Sequence, residues 1–282
     1  MENTVDAPQG KTQAPTQPVG WAWTWLPVTA LLGGAWAYGA PLEALPSTGL
    51  ALALVLGGWM PLWRAITTTD WRTPLRRWRT WRGRVPLPRW PYLQPGTPGA
   101  ALHHALEHAW AWWRDVGAPA LGPSLRSAFG ALALSVLVGA VLGRTALLLS
   151  VFLLTCAELA TLWHEGEGHV GSGWEALGWV GLPWLLGASL NGSMPLAAWL
   201  SALAVTLLVG FQAVNRGWSV LGPLSAAVFL LWGGHTLAVG SVLLLALPGW
   251  LLLLEEVPLQ RYRRAVAPWL LLTLLLMAGA LR

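Results

Sequence analysis

The chain has 282 residues, of which 55% are hydrophobic and 10% are charged, and its mean hydropathy is +0.53. An average soluble domain carries about 25% charged residues, so this composition excludes a soluble globular protein. The formal net charge is +5. Because the basic residues lie beside apolar stretches and no recognition module is present, we expect them to face anionic lipid headgroups and exclude nucleic acid as a partner.

The first 20 residues are rich in Pro, Gln and Thr and have no apolar period. This pattern predicts a disordered N-terminal tail over residues 1–20, followed by a single polytopic membrane domain over residues 21–282. The tail lacks the charge pattern of a signal peptide, so the first apolar stretch is predicted to be a retained span.

Nine apolar stretches follow the tail, and most approach the roughly 20 residues that a helix needs to cross a bilayer. The fifth and seventh are short and contain Gly or Pro, so eight spans is the alternative to nine. The predicted spans are 21–40, 49–67, 121–142, 146–163, 174–190, 195–213, 218–234, 237–254 and 265–281. The sequence therefore predicts an all-α integral membrane protein.

The basic residues are distributed unequally between the two sides of this threading. Of the 17 Lys and Arg residues, all except Arg144 and Arg282 fall on one side. Cytoplasmic loops carry the excess of Lys and Arg, so this asymmetry predicts a multi-pass protein of the inner (cytoplasmic) membrane. Its N-terminus is predicted to be cytoplasmic and its C-terminus to lie outside.

The largest predicted loop, residues 68–117, is cytoplasmic and alternates Arg with Trp. This composition is typical of a segment at headgroup depth, where it anchors the topology and contacts membrane lipids. The alternative is capture of an anionic lipid or diphosphate head by the arginines. Residues 99–115 have the apolar period of an amphipathic helix, which we expect to lie on the inner leaflet.

Two clusters have the residue types of metal sites. His104, Glu107 and His108 form an H-x-x-E-H pattern, which suits zinc ligation on one helix face, although a polar helix face is the simpler interpretation. The segment 164–169 offers carboxylates and imidazoles in a Gly-rich loop, where a cation site and a solvated turn are both open. Its candidate ligands are His164, Glu165, Glu167 and His169.

A few polar residues fall within or beside the predicted spans. Glu158 lies near the inner end of the fourth span, and a carboxylate at such a depth is a candidate functional residue or a partner in a helix–helix hydrogen bond. Gln212 and Asn215 lie one helical turn apart at the inner end of the sixth span.

The helix count, the orientation and the large basic loop between the second and third spans resemble the UbiA superfamily of intramembrane prenyltransferases. The run WEALGWVGLPWLLG, residues 174–187, is similar to the Gly-rich fifth span of that family. The resemblance implies a nine-helix bundle that uses Mg²⁺ to hold a polyprenyl diphosphate over a lipid-open cavity. Where the family has N-D-x-x-D-x-x-x-D, this chain reads RAITTTD and keeps only Asp70, and the second motif region reads QAVNR.

Two functions therefore stay open. The resemblance implies a bundle that binds an isoprenoid or related lipid, with prenyl transfer opposed by the missing carboxylates. The alternative is a non-catalytic membrane subunit, or an assembly or scaffold protein, with membrane-protein partners. In the first case Asp70 and Glu158 are the candidate catalytic residues. The lipid or diphosphate head would then be bound by Arg64, Arg72, Arg76, Arg77, Arg79, Gln212, Asn215 and Arg216.

Overall fold

The structure is a computed structural model that describes residues 21–39, 44–83, 85, 88, 96–163, 171–192, 194–214, 218–255 and 257–282. All regular structure within these ranges is helical, which confirms the predicted all-α class. The predicted disordered tail lies outside the described residues. The helices are α1 Trp21–Ala37, α2 Leu45–Thr67, α3 Arg72–Thr80, α4 Pro98–Leu142, α5 Arg144–Trp163, α6 (Gly171–Ala176, Leu177–Gly181 and Leu182–Ser189), α7 Leu196–Val214, α8 Leu221–Trp232, α9 Thr236–Leu254 and α10 Leu259–Leu281.

Within the described residues, five helices are long and apolar enough to cross a membrane: α2, α4, α5, α9 and, over Arg261–Leu281, α10. Two shorter apolar helices cover Leu196–Gln212 and Leu221–Trp232. Helix α8 has 12 residues and is therefore about 18 Å long, less than the roughly 30 Å of a hydrocarbon core. The chain is thus a helical protein suited to a membrane, and nine crossings stay a prediction.

Helix α4 differs from the sequence prediction. The predicted surface helix 99–115 and the predicted third span 121–142 form one continuous helix of 45 residues, Pro98–Leu142. Its length of about 68 Å is twice the thickness of a bilayer core, so its first half extends beyond the span. The helix ends at Gly143, whose φ of 103° a residue with a side chain rarely adopts, and α5 begins at the next residue.

Helices α2, α4 and α6 each contain one wider, π-helical segment, and each segment is followed two residues later by a proline. The segments are Leu54–Trp59, Trp113–Gly117 and Leu177–Gly181, and the prolines are Pro61, Pro119 and Pro183. In each case the residue before the proline donates its N–H to the carbonyl five positions earlier. The wider turn accommodates a ring that would otherwise break the helix, which explains why Pro119 does not interrupt α4.

Helices α1 and α6 cross at backbone contact distance. A Cβ atom added at Gly187 of α6 would lie 2.0 Å from the Leu31 carbonyl oxygen, and one added at Gly34 of α1 would lie 2.1 Å from that of Trp184. Small residues at a helix crossing allow the two backbones to come this close. In a bilayer no hydrophobic effect drives helices together, so close van der Waals packing is what stabilises the pair. These two glycines therefore permit the close approach of α1 and α6.

The largest fully buried side chains in the interior of the bundle are aromatic. Trp59, Trp63, Trp184 and Tyr262 are all buried. The Trp59 indole N–H donates to Ser150 Oγ, and the Trp184 indole N–H donates to Ser201 Oγ, each over 2.9 Å. These bonds satisfy the polar edge of each indole and join α2 to α5 and α6 to α7.

Ring contacts and side-chain contacts show which helix ends lie together. The Arg282 guanidinium lies 4.6 Å from the centre of the Trp36 ring, so α1 and α10 end on the same side. At the other end, Trp63 of α2 contacts Gly178 of α6. In the predicted orientation this second end is cytoplasmic, and it is called the inner end below.

Candidate functional site

At the inner end of the bundle, Asp70 lies in the turn between α2 and α3. Its Oδ1 accepts hydrogen bonds from the backbone N–H groups of Arg72 and Thr73, each at 3.1 Å. The Thr73 side chain, the backbone of Thr73 and the nearby Arg76 lower the pKa of Asp70. Because its pKa is lowered, the carboxylate stays charged to a lower pH than an ordinary Asp. It caps the first turn of α3.

The arginines near Asp70 occupy two environments. Arg64, in the last turn of α2, lies 5.5 Å from the centre of the Trp179 ring, a cation–π contact that joins α2 to α6. Arg72, Arg76 and Arg77 are exposed on α3. Arg79 lies on the same helix. This basic helix matches the charge of an anionic membrane surface.

Helix α3 packs against the first half of α4 through aromatic rings. The Trp78 ring meets the His108 ring edge-on with 4.7 Å between centroids, and it meets Trp112 at 5.4 Å. His108 is thus engaged with a tryptophan, on the side of α4 that faces α3.

Gln212 forms part of a buried polar connection between three segments. Its Nε2 donates to the Ser219 carbonyl over 3.0 Å, and its Oε1 accepts from the Tyr262 hydroxyl over 2.5 Å. The side chain is 4% exposed. Gln212 therefore links α7 to α10 and to the turn before α8, a structural task that uses both ends of its amide.

Glu158 lies on the outside of the bundle. It is exposed on α5, opposite the buried positions Leu153 and Ala160. Within the described part of the chain its carboxylate has no hydrogen-bond or ion-pair partner, and only its backbone carbonyl accepts a bond, from Thr161. Glu158 is therefore not brought together with Asp70 or Gln212 in an enclosed site.

The metal-type residues of α4 are arranged differently from the H-x-x-E-H pattern. His103, His104 and Glu107 place one potential ligand atom each within 4.8 Å of one another. His103, which sequence reasoning passed over, is the member that replaces His108. The sequence does contain a signal for His103. It lies four residues before Glu107, so the two side chains share a helix face, as His104 and His108 do.

The remaining predicted residues lie outside the described part of the chain. They are His164, Glu165, Glu167, His169, Asn215 and Arg216.

The donor set around Asp70 does not fit the Mg²⁺–diphosphate site that the resemblance implies. Mg²⁺ prefers oxygen ligands in octahedral geometry, usually one or two carboxylates with waters and phosphates. Of the described residues around α3, Asp70 supplies one carboxylate whose Oδ1 is already held by two N–H groups, and its neighbours are arginines.

The described residues line at least three cavities. One, of about 490 Å³, is an open apolar groove between α7 and α8. Another, of about 370 Å³, lies at the outer end and includes Arg144, Ser47 and Ser189. A third, beside Gln212, is small and enclosed by α7, α8, α9 and α10. None of these three is bounded together by α2, α5 and α7, the helices that carry or adjoin Asp70, Glu158 and Gln212.

Comparison with known proteins adds no family to this description. No protein-family model matches the chain, and it has no significant similarity to a curated protein or to a solved structure. The resemblance to the UbiA superfamily thus remains a prediction.

Proposed function

We propose that the chain is a non-catalytic integral membrane scaffold that assembles through the outer face of α4 and α5. The observation that carries this proposal is Glu158, an exposed carboxylate in a membrane-type helix without a partner in the described chain. An unpaired charge costs about 2.5–3.5 kcal/mol at the centre of a bilayer and less towards the interface. A cationic partner on another membrane protein would remove this cost.

The neighbouring helix α4 carries a complementary charge at matching depth. Arg126 is exposed and donates only to the Gly122 carbonyl of its own helix, over 3.3 Å. Measured along the helices from the turn at Gly143, Arg126 lies about 26 Å away and Glu158 about 23 Å away. Opposite charges therefore lie on two adjacent helices at nearly the same level.

Both charges occupy the line of their helix farthest from the bundle interior. On α4 the exposed stripe is Arg126, Gly130, Ala133 and Leu137, and it lies opposite the buried Ala131, Ser135 and Gly139. On α5 the exposed stripe is Val151, Thr155, Glu158 and Leu162. The face thus combines apolar and small residues with one cation and one anion, and packing and ion pairing can act together on it.

This face is self-complementary, so the proposed partner is a second copy of the chain. In a two-fold dimer with its axis along the membrane normal, a contact between residues i and j occurs twice. Arg126 of each copy would then meet Glu158 of the other, and both charges would be paired without any further component.

Reversing one charge is expected to weaken this dimer, and reversing both is expected to restore it. Arg126→Glu or Glu158→Arg alone would place like charges together at two symmetric positions, which should lower the dimer affinity at least about tenfold. The variant with both changes re-creates the two pairs in the opposite sense. The measurement is the dimer fraction in nanodiscs or mild detergent, by light scattering or native mass spectrometry.

The matched control is a second exposed pair, Arg264 of α10 and Glu255 at the end of α9. Arg264→Glu and Glu255→Arg should leave the dimer fraction unchanged. A monomeric parent protein, or single reversals that behave like these controls, would contradict the proposal.

A lipid-binding function is the second candidate, favoured by the groove between α7 and α8. Its volume of about 490 Å³ falls within the range of ligand pockets. An isoprenoid or acyl chain fits its apolar lining, which includes Leu203, Leu207, Phe211, Leu224, Val228 and Trp232. If this function is correct, native mass spectrometry of the purified protein will show a retained lipid, and filling the groove by Leu207→Trp will remove it.

A further inference from the structure

We propose that His103, His104 and Glu107 form a binding site for a zinc-type divalent cation on the first half of α4. Two imidazoles and one carboxylate are the ligand set of many zinc sites that keep a fourth position for water. The proposal is independent of the scaffold function.

Two of the three separations within the cluster are close to those of ligands that share one ion. His103 Nδ1 lies 3.6 Å from Glu107 Oε1, and His104 Nδ1 lies 3.1 Å from Glu107 Oε2. Ligands at zinc distances of about 2.0–2.1 Å in tetrahedral geometry are about 3.3 Å apart, between these two values. The third pair, His103 with His104, lies within 4.8 Å, so these two side chains would have to move closer together to share one ion.

The hydrogen bond of His103 sets its tautomer in favour of metal binding. Its Nε2 lies 3.3 Å from the Pro88 carbonyl oxygen. A carbonyl oxygen can only accept, so Nε2 carries the hydrogen and, in the neutral ring, Nδ1 presents its lone pair towards Glu107. Zinc-bound histidines commonly donate their second N–H to a carbonyl in this way.

Burial distinguishes this cluster from an ordinary polar helix face. The side chains of His103 and Glu107 are 7% and 14% exposed, whereas that of His104 is 63% exposed. A cation beside the Glu107 carboxylate would be attracted strongly at this low exposure, and it would displace the proton through which His104 Nδ1 donates to Glu107 Oε2. The exposed His104 side leaves an entry path and a place for water.

The test is stoichiometric zinc and Co²⁺ binding by the full-length protein, purified without a histidine tag. A background with His164→Ala and His169→Ala removes the other His–Glu cluster of the sequence. The background protein is expected to bind one Zn²⁺ per chain by elemental analysis. Its Co²⁺ form should show the visible absorption of tetrahedral coordination.

Loss of one ligand is expected to weaken zinc binding at least about 100-fold. Replacing a residue that only hydrogen-bonds to a ligand already lowers metal affinity about 10–100-fold. His103→Ala and Glu107→Ala test the buried members, and His104→Ala tests an exposed member whose replacement leaves the packing intact. His108→Ala is the matched control, since His108 lies against Trp78, and it should bind zinc normally. Unchanged binding in His104→Ala, or equal loss in His108→Ala, would overturn the proposal.

Discussion

Gly187→Ala is expected to prevent stable folding of the bundle. The added methyl would lie 2.0 Å from the Leu31 carbonyl oxygen and 2.8 Å from the Ala35 backbone nitrogen, both on α1. Overpacking of a core usually costs about 1–3 kcal/mol, and here the neighbours are backbone atoms that move only if the whole helix moves. We therefore expect a loss of about 3 kcal/mol or more, measured as a lower thermal midpoint or as loss of folded protein in detergent.

A glycine with free space provides the control. Gly279 of α10 has no atom within 4 Å of the position that a Cβ would occupy, and its φ is in the ordinary range. Gly279→Ala should be neutral or slightly stabilising, since alanine favours a helix over glycine by about 1 kcal/mol. Equal behaviour of the two variants would show that α1 and α6 are not in backbone contact.

Trp63→Ala is expected to be strongly destabilising, which separates a packed bundle from one with a substrate cavity at its inner end. Trp63 is 2% exposed, and its ring lies against Gly178 of α6. Removing a buried tryptophan side chain costs about 3–5 kcal/mol because the surroundings only partly collapse into the space. Thermal unfolding in a fixed detergent measures the loss.

Trp232 of α8 is the matched control, because its side chain is 74% exposed. Trp232→Ala should change the thermal midpoint little. If Trp63→Ala were as mild as this control, the inner end would be loosely packed. A cavity at the inner end would then gain support over a closely packed bundle.

Hydrophobic pattern predicted the positions of most helices well. The predicted spans 146–163 and 237–254 differ from α5 and α9 by two residues or fewer. A long apolar segment has little choice of conformation in a membrane, because every backbone polar group there must be hydrogen-bonded, which a helix achieves within the segment. The membrane class of the chain follows from its high apolar content and its long apolar segments.

The continuity of α4 was not predictable from local rules. Gly117 and Pro119 are helix breakers in most contexts, so the sequence favoured two helices. The structure avoids the break with a π-helical segment, whose Ala118 N–H reaches the Trp113 carbonyl. Whether a proline breaks a helix or widens it depends on packing with neighbours, which local sequence does not encode.

The candidate site shows the same limit. Spacing alone allows His104 to pair with His108 and His103 to pair with Glu107. Which histidine lies beside Glu107 is not set by spacing. The His108 ring packs against Trp78 of α3, a residue distant in sequence. Likewise, the apparent family carboxylate Asp70 caps a helix, because the N–H groups of Arg72 and Thr73 lie next to it. Residue type was informative, but the role of each residue was set by its partners.

Cross-linking between two differently tagged copies in native membranes tests the scaffold proposal most directly. In a Cys156→Ser background, one copy carries Arg126→Cys and the other carries Glu158→Cys, and a short bis-maleimide joins thiols within reach. We expect a cross-link between the two tags, and none for a control pair with Arg264→Cys and Glu255→Cys. Absence of the Arg126–Glu158 cross-link, or an equal yield from the control pair, would contradict assembly through the face of α4 and α5.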